Sequence, residues 1–333
     1  MESEGIQKPR RGRPSLVELL ATLDEEVRLL ATSLGGLPRA VEADQILREI
    51  WIDDVHNSTA IEGNTLTKAQ VRAVVERGRA QGTLAESLDV EGYARAADWA
   101  YREAPRHSGV PIEVVSELHR RALTLTWGVS PPATRDVAGA WRKTGVAVRD
   151  VPVSMPSAIH ADLQAWSEST RHAEVNHPIV HAAVHHAWFE RIHPFVDGNG
   201  RVGRLLLNFQ LVQQGYPPAV ILASRRSRYL DALRSADEGK PQALAEVVGR
   251  AVRHALSRFL IPKLAGEVKL VPLSALAAQG YYTPEYLRQL VLRGRLRAVR
   301  DGRLWLSSRV WVEEYLASRD PRGGSRGRSQ LPG

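Results

Sequence analysis

A chain of 333 residues, 43% of them apolar, is long enough for two domains or for one domain with appendages. It contains no cysteine, which excludes a disulfide framework and a thiolate metal site. Its net charge of +8 gathers at the two ends: residues 267–333 carry twelve Lys/Arg against six Asp/Glu, residues 1–14 carry four against two, and the middle is near neutral. No apolar run approaches the roughly 18 residues of a membrane helix. Met1-Glu2-Ser3-Glu4 lacks the basic start of a secretory leader, so the sequence reads as cytoplasmic with no membrane partner.

In chain order, residues 1–14 form a basic tail. Lys8-Pro9-Arg10-Arg11-Gly12-Arg13-Pro14 contains Arg-Gly-Arg-Pro, the core of an AT-hook, which lays extended arginines into a narrow A·T minor groove. A basic disordered tail accounts for the same residues. Residues 15–105 read as an N-terminal helical region. Leu16–Leu34 is helical, and Gly35-Gly36-Leu37-Pro38 breaks it. From Gln45 to His56, Ile46, Ile50 and Val55 keep roughly helical spacing. That helix ends near Glu62-Gly63-Asn64, with Gly63 or Asn64 in a left-handed cap. Thr67 is an N-cap for a helix over Lys68–Arg79, and Asp89–Arg102 is helical too.

Residues 106–265 follow as the main body. Pro111–Thr124 has a helical pattern, Pro131-Pro132 opens an irregular stretch, and Trp141–Arg149 is patterned as a short hairpin. Pro178–Arg191 is an Ala-rich helix. Together with its preceding residue it sets His177, His181 and His185 at i, i+4 and i+8, a spacing that can bind a transition metal, but no nearby carboxylate completes such a site.

Residues 193–204, His-Pro-Phe-Val-Asp-Gly-Asn-Gly-Arg-Val-Gly-Arg, carry the most chemistry. The stretch from Arg201 to Gln214 is apolar at Val202, Leu205, Leu206, Phe209 and Val212, which is helical spacing, and Gly215 stands where a C-cap glycine would. Asp197–Gly200 is therefore a loop running into a helix N-terminus. Free N–H groups and the positive end of the helix dipole make that an anion site. Arg201 and Arg204 lie in the first turn, where the dipole disfavours cations, so a compensating anion is expected there, and a polyphosphate fits.

The C-terminal segment, residues 267–320, has its own pattern. Val271–Ala278 begins a helix, and Thr283 and Pro284 are the N-cap and first residue of a second. Arg297–Arg300 and Arg303–Leu306 flank Asp301-Gly302, a hairpin signal, and Ser307–Ser318 closes as a helix. This order resembles a winged helix-turn-helix, and its basic residues gather on the second helix and the wing, as DNA binding requires. A small accessory domain that packs on an enzyme has the same order. Residues 321–333 are Gly/Arg/Ser-rich and read as disordered.

The signature at 193–204 resembles that of the Fic family of AMP-transferring enzymes, His-x-Phe-x-Asp/Glu-Gly-Asn-Gly-Arg-x-x-Arg. His193, Phe195, Asp197, Gly198, Asn199, Gly200, Arg201 and Arg204 all match it. The resemblance covers about Leu37 to Lys263. It implies a mainly α fold: a Fic-type helical core with a short β-hairpin flap, joined here by the small C-terminal winged-helix domain. It further implies that His193 is the general base and that Asp197 holds Mg²⁺. Gly198, Asn199, Gly200, Arg201 and Arg204 would bind the phosphates of ATP. A related phosphotransferase branch carries Lys at position 200, so the glycine favours nucleotidyl transfer. Upstream, Ser58-Thr59-Ala60-Ile61-Glu62-Gly63 is similar to the family's inhibitory motif, Ser/Thr-x-x-x-Glu-Gly/Asn, which makes Ser58 and Glu62 regulatory and pairs Glu62 with Arg204.

The resulting expectation is a protein adenylyltransferase. It moves AMP from ATP to a Ser, Thr or Tyr hydroxyl of a target protein or of itself, and Glu62 inhibits it in cis. DNA is a further expected partner through residues 267–320 and the basic tail, and a homodimer stays open. The competing class is a DNA-binding transcriptional regulator whose Fic body serves as nucleotide sensor or scaffold. His193, Asp197 and Arg204 occurring together argue for the enzyme, since a scaffold has no need of a base.

Overall fold

The computed structural model describes residues 15–37, 45–78, 82–146, 148, 151–172, 176–264, 270–278, 280, 282–301 and 303–318. The basic tail 1–14 and the tail 321–333 lie outside the described residues. Contacts divide the chain into two units, one spanning Leu16–Phe259 and one comprising Met1–Ser15 with Leu260–Gly333. The regions 15–105 and 106–259, distinct in sequence, thus belong to one unit.

That unit is built around a helix buried on every side. The element order is α1 (Leu16–Leu34), α2 (Gln45–Ile61), α3 (Lys68–Arg77), α4 (Leu84–Glu103), α5 (Ile112–Val129), α6 (Ile159–Ser169), α7 (Pro178–Ile192), α8 (Asn199–Gln213), α9 (Arg226–Asp237) and α10 (Gln242–Leu264). All residues from Arg201 to Val212 of α8 are buried. Helices α2, α4, α5 and α7 pack around it, and its Leu205, Leu206, Leu207 and Phe209 are at most 1% exposed. A helix in that position cannot carry a polar outer face. Its few polar side chains, Arg201, Arg204, Asn208 and Gln210, must find partners inside the protein.

Several element boundaries differ from the sequence reading. Helix α4 starts at Leu84, five residues before Asp89, because Thr83 and Glu86 form a reciprocal capping box. Helix α3 stops at Arg77, where Gly78 takes a left-handed cap. Helix α5 runs on to Val129, beyond Thr124. Helix α6 stands in a stretch read only as irregular, although Ile159, Leu163 and Trp166 bury one face at helical spacing.

Within the hairpin expected over Trp141–Arg149, the described residues show one antiparallel bridge, Val148↔Val151; Ala147, Arg149 and Asp150 lie outside the described residues. Arg142 at its start is 2% exposed, and its guanidinium donates to the carbonyl of Thr144 two residues on (2.9 Å).

The C-terminal unit holds β1 (Val271–Pro272), α11 (Leu273–Ala278), α12 (Pro284–Leu292), β2 (Val299–Asp301), β3 (Leu304–Ser307) and α13 (Arg309–Ala317). The strands pair in the order β1-β3-β2, both pairs antiparallel. Val271 and Pro272 are therefore an edge strand where the sequence suggested a helix start, and an edge tolerates proline's missing N–H. Leu273, Leu276, Leu287, Leu290, Leu296, Trp311 and Val312 form this unit's own core. Among the described residues, no helix is long and apolar enough to cross a membrane.

Candidate active site

Helix α7 ends at His193, whose backbone takes a left-handed conformation (φ 49°, ψ 59°) while its N–H still caps the carbonyl of Phe189 at 3.0 Å. That conformation costs a non-glycine residue about 1–2 kcal/mol. It turns the chain sharply into the loop 194–198. The imidazole Nδ1 lies 3.2 Å from the carbonyl of Glu190. A carbonyl only accepts, so Nδ1 carries the proton and Nε2 keeps a lone pair. Burial pushes the imidazole below its ordinary pKa. His193 is thereby a neutral base with a defined basic nitrogen.

Two residues that the sequence reading did not single out hold this turn in place. Arg142 donates through Nε to the carbonyl of His193 (2.7 Å), and its other terminal nitrogen reaches the carbonyl of Ser154. Its backbone N–H bonds the carbonyl of Pro194 at 2.9 Å. From α5, His119 accepts from the Gly139 N–H at Nδ1 (2.7 Å) and donates through Nε2 to the carbonyl of Asp197 (3.0 Å). Burial pushes His119 down to about 4, which keeps it neutral. The Phe195 ring stacks on it with centroids 3.7 Å apart. An arginine beside a tryptophan and a histidine on an apolar helix face are the only signals these two residues leave in the sequence.

Asn199 also organises the loop. Its Oδ1 accepts from the Phe195 N–H (3.0 Å) and its Nδ2 donates to the Phe195 carbonyl (2.8 Å). The amide thus ties the loop's own backbone together, and the helix N-terminus beside it adds main-chain donors. Gly198, the N-cap of α8, sits at φ 84° and offers no side chain to cap the helix. The N–H groups of Asn199, Gly200 and Arg201 therefore have no acceptor within the helix. Asp197 stands at this mouth with its side chain 59% exposed, accepting from the Gly198 N–H (2.6 Å) and from Arg201 (3.0 Å). Each oxygen keeps a further lone pair, so the carboxylate can act as a ligand for a hard cation beside a bound phosphate. Among the described residues no group of three or more His, Cys, Asp or Glu could hold a metal by themselves, so further ligands would have to come from a bound molecule. In the histidine row, His177 bonds Asp24 and His185 bonds Ser169, each at 3.0 Å.

The compensating anions that the first turn of α8 requires come from the chain itself. Arg201, 7% exposed, pairs with Asp89 of α4 and with Asp197. Arg204, 3% exposed, donates through Nε to Ser58 Oγ (2.6 Å), and one terminal nitrogen reaches both the Ser58 carbonyl (2.9 Å) and Glu62 Oε1 (2.8 Å). Burial works to raise the Glu62 carboxyl, but Arg204 outweighs it and holds the group below the usual carboxylate range. Glu62 is carried by the end of α2. The N–H of Asn64 bonds the Thr59 carbonyl (3.2 Å) and that of Gly63 the Ala60 carbonyl (3.1 Å), with Gly63 at φ 104°. This is a Schellman cap, so the helix-end reading and the placed-glutamate reading hold together. The carboxylate lies on the anion site: a Cβ added at Gly200 would come 2.5 Å from Glu62 Oε1.

Beneath the arginines lies a buried polar layer. His186 donates to the Gly203 carbonyl (3.0 Å) and accepts from the Tyr229 hydroxyl (2.7 Å). Burial raises Glu190 to about 8 and Asp54 to about 7.

Residues 110–211 match the Fic/DOC family. The chain is 30% identical over 270 residues to a protein adenylyltransferase Fic of Nematostella vectensis, covering 78% of this chain and 61% of that one. A counterpart in Drosophila persimilis is 30% identical over 257 residues, 74% of this chain and 49% of the relative. The chain thus spans about half to three-fifths of the length of these curated relatives. Among solved structures, residues 134–508 of Fic-1 from C. elegans superpose with a TM-score of 0.65 at 26% identity, covering 76% of this chain and 74% of that one.

Proposed function

We propose, from the match of residues 110–211 to the Fic/DOC family, that this chain belongs to that family and is a protein adenylyltransferase, inhibited in cis by Glu62. The observation that carries the reading is a neutral base, His193, poised beside an uncapped helix N-terminus with a cation-ligating carboxylate and two arginines. Relatives named protein adenylyltransferase support it. ATP is the substrate this implies, and the acceptor is a Ser, Thr or Tyr hydroxyl of a target protein or of the chain itself.

The roles follow from the geometry. His193 Nε2 takes the proton of the hydroxyl as its oxygen bonds the α-phosphorus, the bond from that phosphorus to the bridging oxygen breaks, and pyrophosphate leaves. The main-chain N–H groups of residues 199–201 receive phosphate oxygens, and Arg201 and Arg204 neutralise their charge. Asp197 would hold Mg²⁺, which supplies charge neutralisation for the leaving group. Glu62 occupies Arg204 and the first turn of α8, so a γ-phosphate meets a carboxylate where it needs a cation. This assembly favours catalysis over a role as nucleotide sensor or scaffold, since neither needs a defined basic nitrogen.

With ATP labelled at the α-phosphate, the protein or a partner should take up label, and His193→Ala should reduce uptake by about 10²–10⁴-fold while nucleotide binding persists. Label arriving from the γ-phosphate would instead assign a phosphotransferase. The base works in its neutral form, and burial depresses its pKa, so activity should be level through neutral pH and fall only as pH drops below about 6.5, the ordinary histidine value. A pH profile of kcat/KM whose acid limb is centred above that value contradicts the assignment.

For the C-terminal unit we infer binding to duplex DNA. Leu287 and Leu290 bury one face of α12, while Arg288 and Arg293 on and beside it, and Arg300 and Arg303 around the β2–β3 turn, stay exposed. A basic helix beside a basic wing suits a groove and its phosphates. The full chain should bind duplex DNA at low salt with an affinity that falls steeply as salt rises, and Arg293→Ala with Arg295→Ala should weaken it. Absence of binding at low salt would leave an accessory packing domain.

A further inference from the structure

Both signature arginines are held by carboxylates from outside residues 110–211. Glu62 on Arg204 belongs to a motif visible in the sequence. Asp89 on Arg201 belongs to none. It comes from the second turn of α4, its side chain is 13% exposed, and it bonds one terminal nitrogen of Arg201. The other terminal nitrogen reaches Asp197, whose side chain is 59% exposed. Arg201 Nε is buried and donates to nothing among the described residues. One guanidinium is thus shared between an enclosed carboxylate and an open one.

Asp89 is also fastened to the turn that bears Glu62. Asn64 Nδ2 donates to Asp89 Oδ2 and to the Glu86 carbonyl, each at 3.0 Å. Thr65 donates through its N–H (3.0 Å) and its hydroxyl (2.6 Å) to Glu86 Oε1. The end of α2 and the start of α4 are strapped together by these bonds.

We propose that Asp89 is a positioning residue for the phosphate site: it keeps Arg201 paired and oriented so that Asp197 can leave the arginine for a cation while the freed nitrogen takes a phosphate oxygen. The proposal rests on the reading of Asp197 and the α8 N-terminus as the cation and nucleotide site. A buried guanidinium left without a counter-charge is strongly unfavourable. With Asp89 in place, Arg201 has a permanent partner, and Asp197 is exchangeable. Without it, Arg201 can be satisfied only by Asp197, and a cation arriving there must break the arginine's last ion pair. Burial assigns the parts, the enclosed carboxylate permanent and the exposed one exchangeable.

The test is calorimetric binding of ADP to the full chain with and without magnesium, which needs no turnover. Wild type, Asp89→Asn, Asp197→Asn and the double variant are compared at matched folded fraction. Magnesium should increase ADP affinity in wild type, and Asp89→Asn should cut that gain on the order of tenfold, the usual scale for losing a group that orients a metal ligand. Metal-free ADP affinity should change far less. In Asp197→Asn the gain should vanish, and adding Asp89→Asn should remove nothing more. An intact gain in Asp89→Asn beside a lost gain in Asp197→Asn overturns the proposal and leaves the cation site standing. A gain that survives in Asp197→Asn overturns the premise itself. Equal loss with and without metal marks Asp89 as merely structural and overturns the proposal. Should Asp89→Asn melt, Asn64→Ala removes a single hydrogen bond to the same carboxylate and should cut the gain about two- to tenfold. An unchanged gain there overturns the proposal as well.

Discussion

A guanidinium buried at the centre of a helical unit must be paired, and Arg204 is paired with Glu62. The arginine is 3% exposed, and it sits near the end of α8 whose dipole repels a cation. Neither fact is tolerable without a carboxylate, and the carboxylate arrives from a helix some 140 residues away in sequence. Much of the site's construction follows from that need. Ser58, one turn earlier on α2, takes the Nε donor of Arg204 and shares the terminal nitrogen that reaches Glu62. Gly63 ends α2 in a cap that turns Glu62 inward. Gly200 has no Cβ, because one would strike the Glu62 carboxylate.

The surrounding acids are arranged so that Glu62 is the charged partner. Glu190 lies beneath the arginine, but burial raises it to about 8, so near neutral pH it is protonated and offers no counter-charge. Asp54, raised by burial to about 7 and accepting from the Tyr93 hydroxyl at 3.1 Å, is only partly ionised there. Glu62 alone is held below the ordinary carboxylate range and partly open to solvent, with its side chain 35% exposed. A charged, partly open partner is the one a polyphosphate can displace. The pair therefore satisfies the fold at rest, and under the proposed function it would compete with the ligand that the same arginine serves.

What the sequence reveals and what it hides divide along physical lines. The dodecamer 193–204 is local: a loop, a helix start and a set of side chains close in sequence, and its anion site is legible from them. The requirement for a compensating anion was also legible, since two arginines broke the dipole rule. Its sources divide: Glu62 is legible through the resemblance of residues 58–63 to the inhibitory motif, whereas Asp89 belongs to no motif and arrives by tertiary packing. Asn199 reads as a phosphate donor, and the sequence does not show that its amide also ties the loop's own backbone. The role of Arg142 was hidden as well, because its bond to the His193 carbonyl joins residues far apart in sequence. The body of helix α4 is legible over Asp89–Arg102, and its true start is marked by Thr83-Leu84-Ala85-Glu86, a capping-box sequence.

The most direct measurement compares labelling from α-labelled ATP by wild type, Glu62→Gly and Glu62→Gly with Arg204→Ala, at matched folded and nucleotide-bound concentration. If the pair restrains the enzyme, Glu62→Gly should be faster by about tenfold or more, equivalent to at least ~1.4 kcal/mol of barrier, and the added Arg204→Ala should abolish the gain, since one guanidinium serves both partners. Most substitutions reduce function, so a gain requires a specific restraint. A Glu62→Gly protein that folds, binds ATP and labels no faster than wild type would contradict the account and leave the pair a structural one.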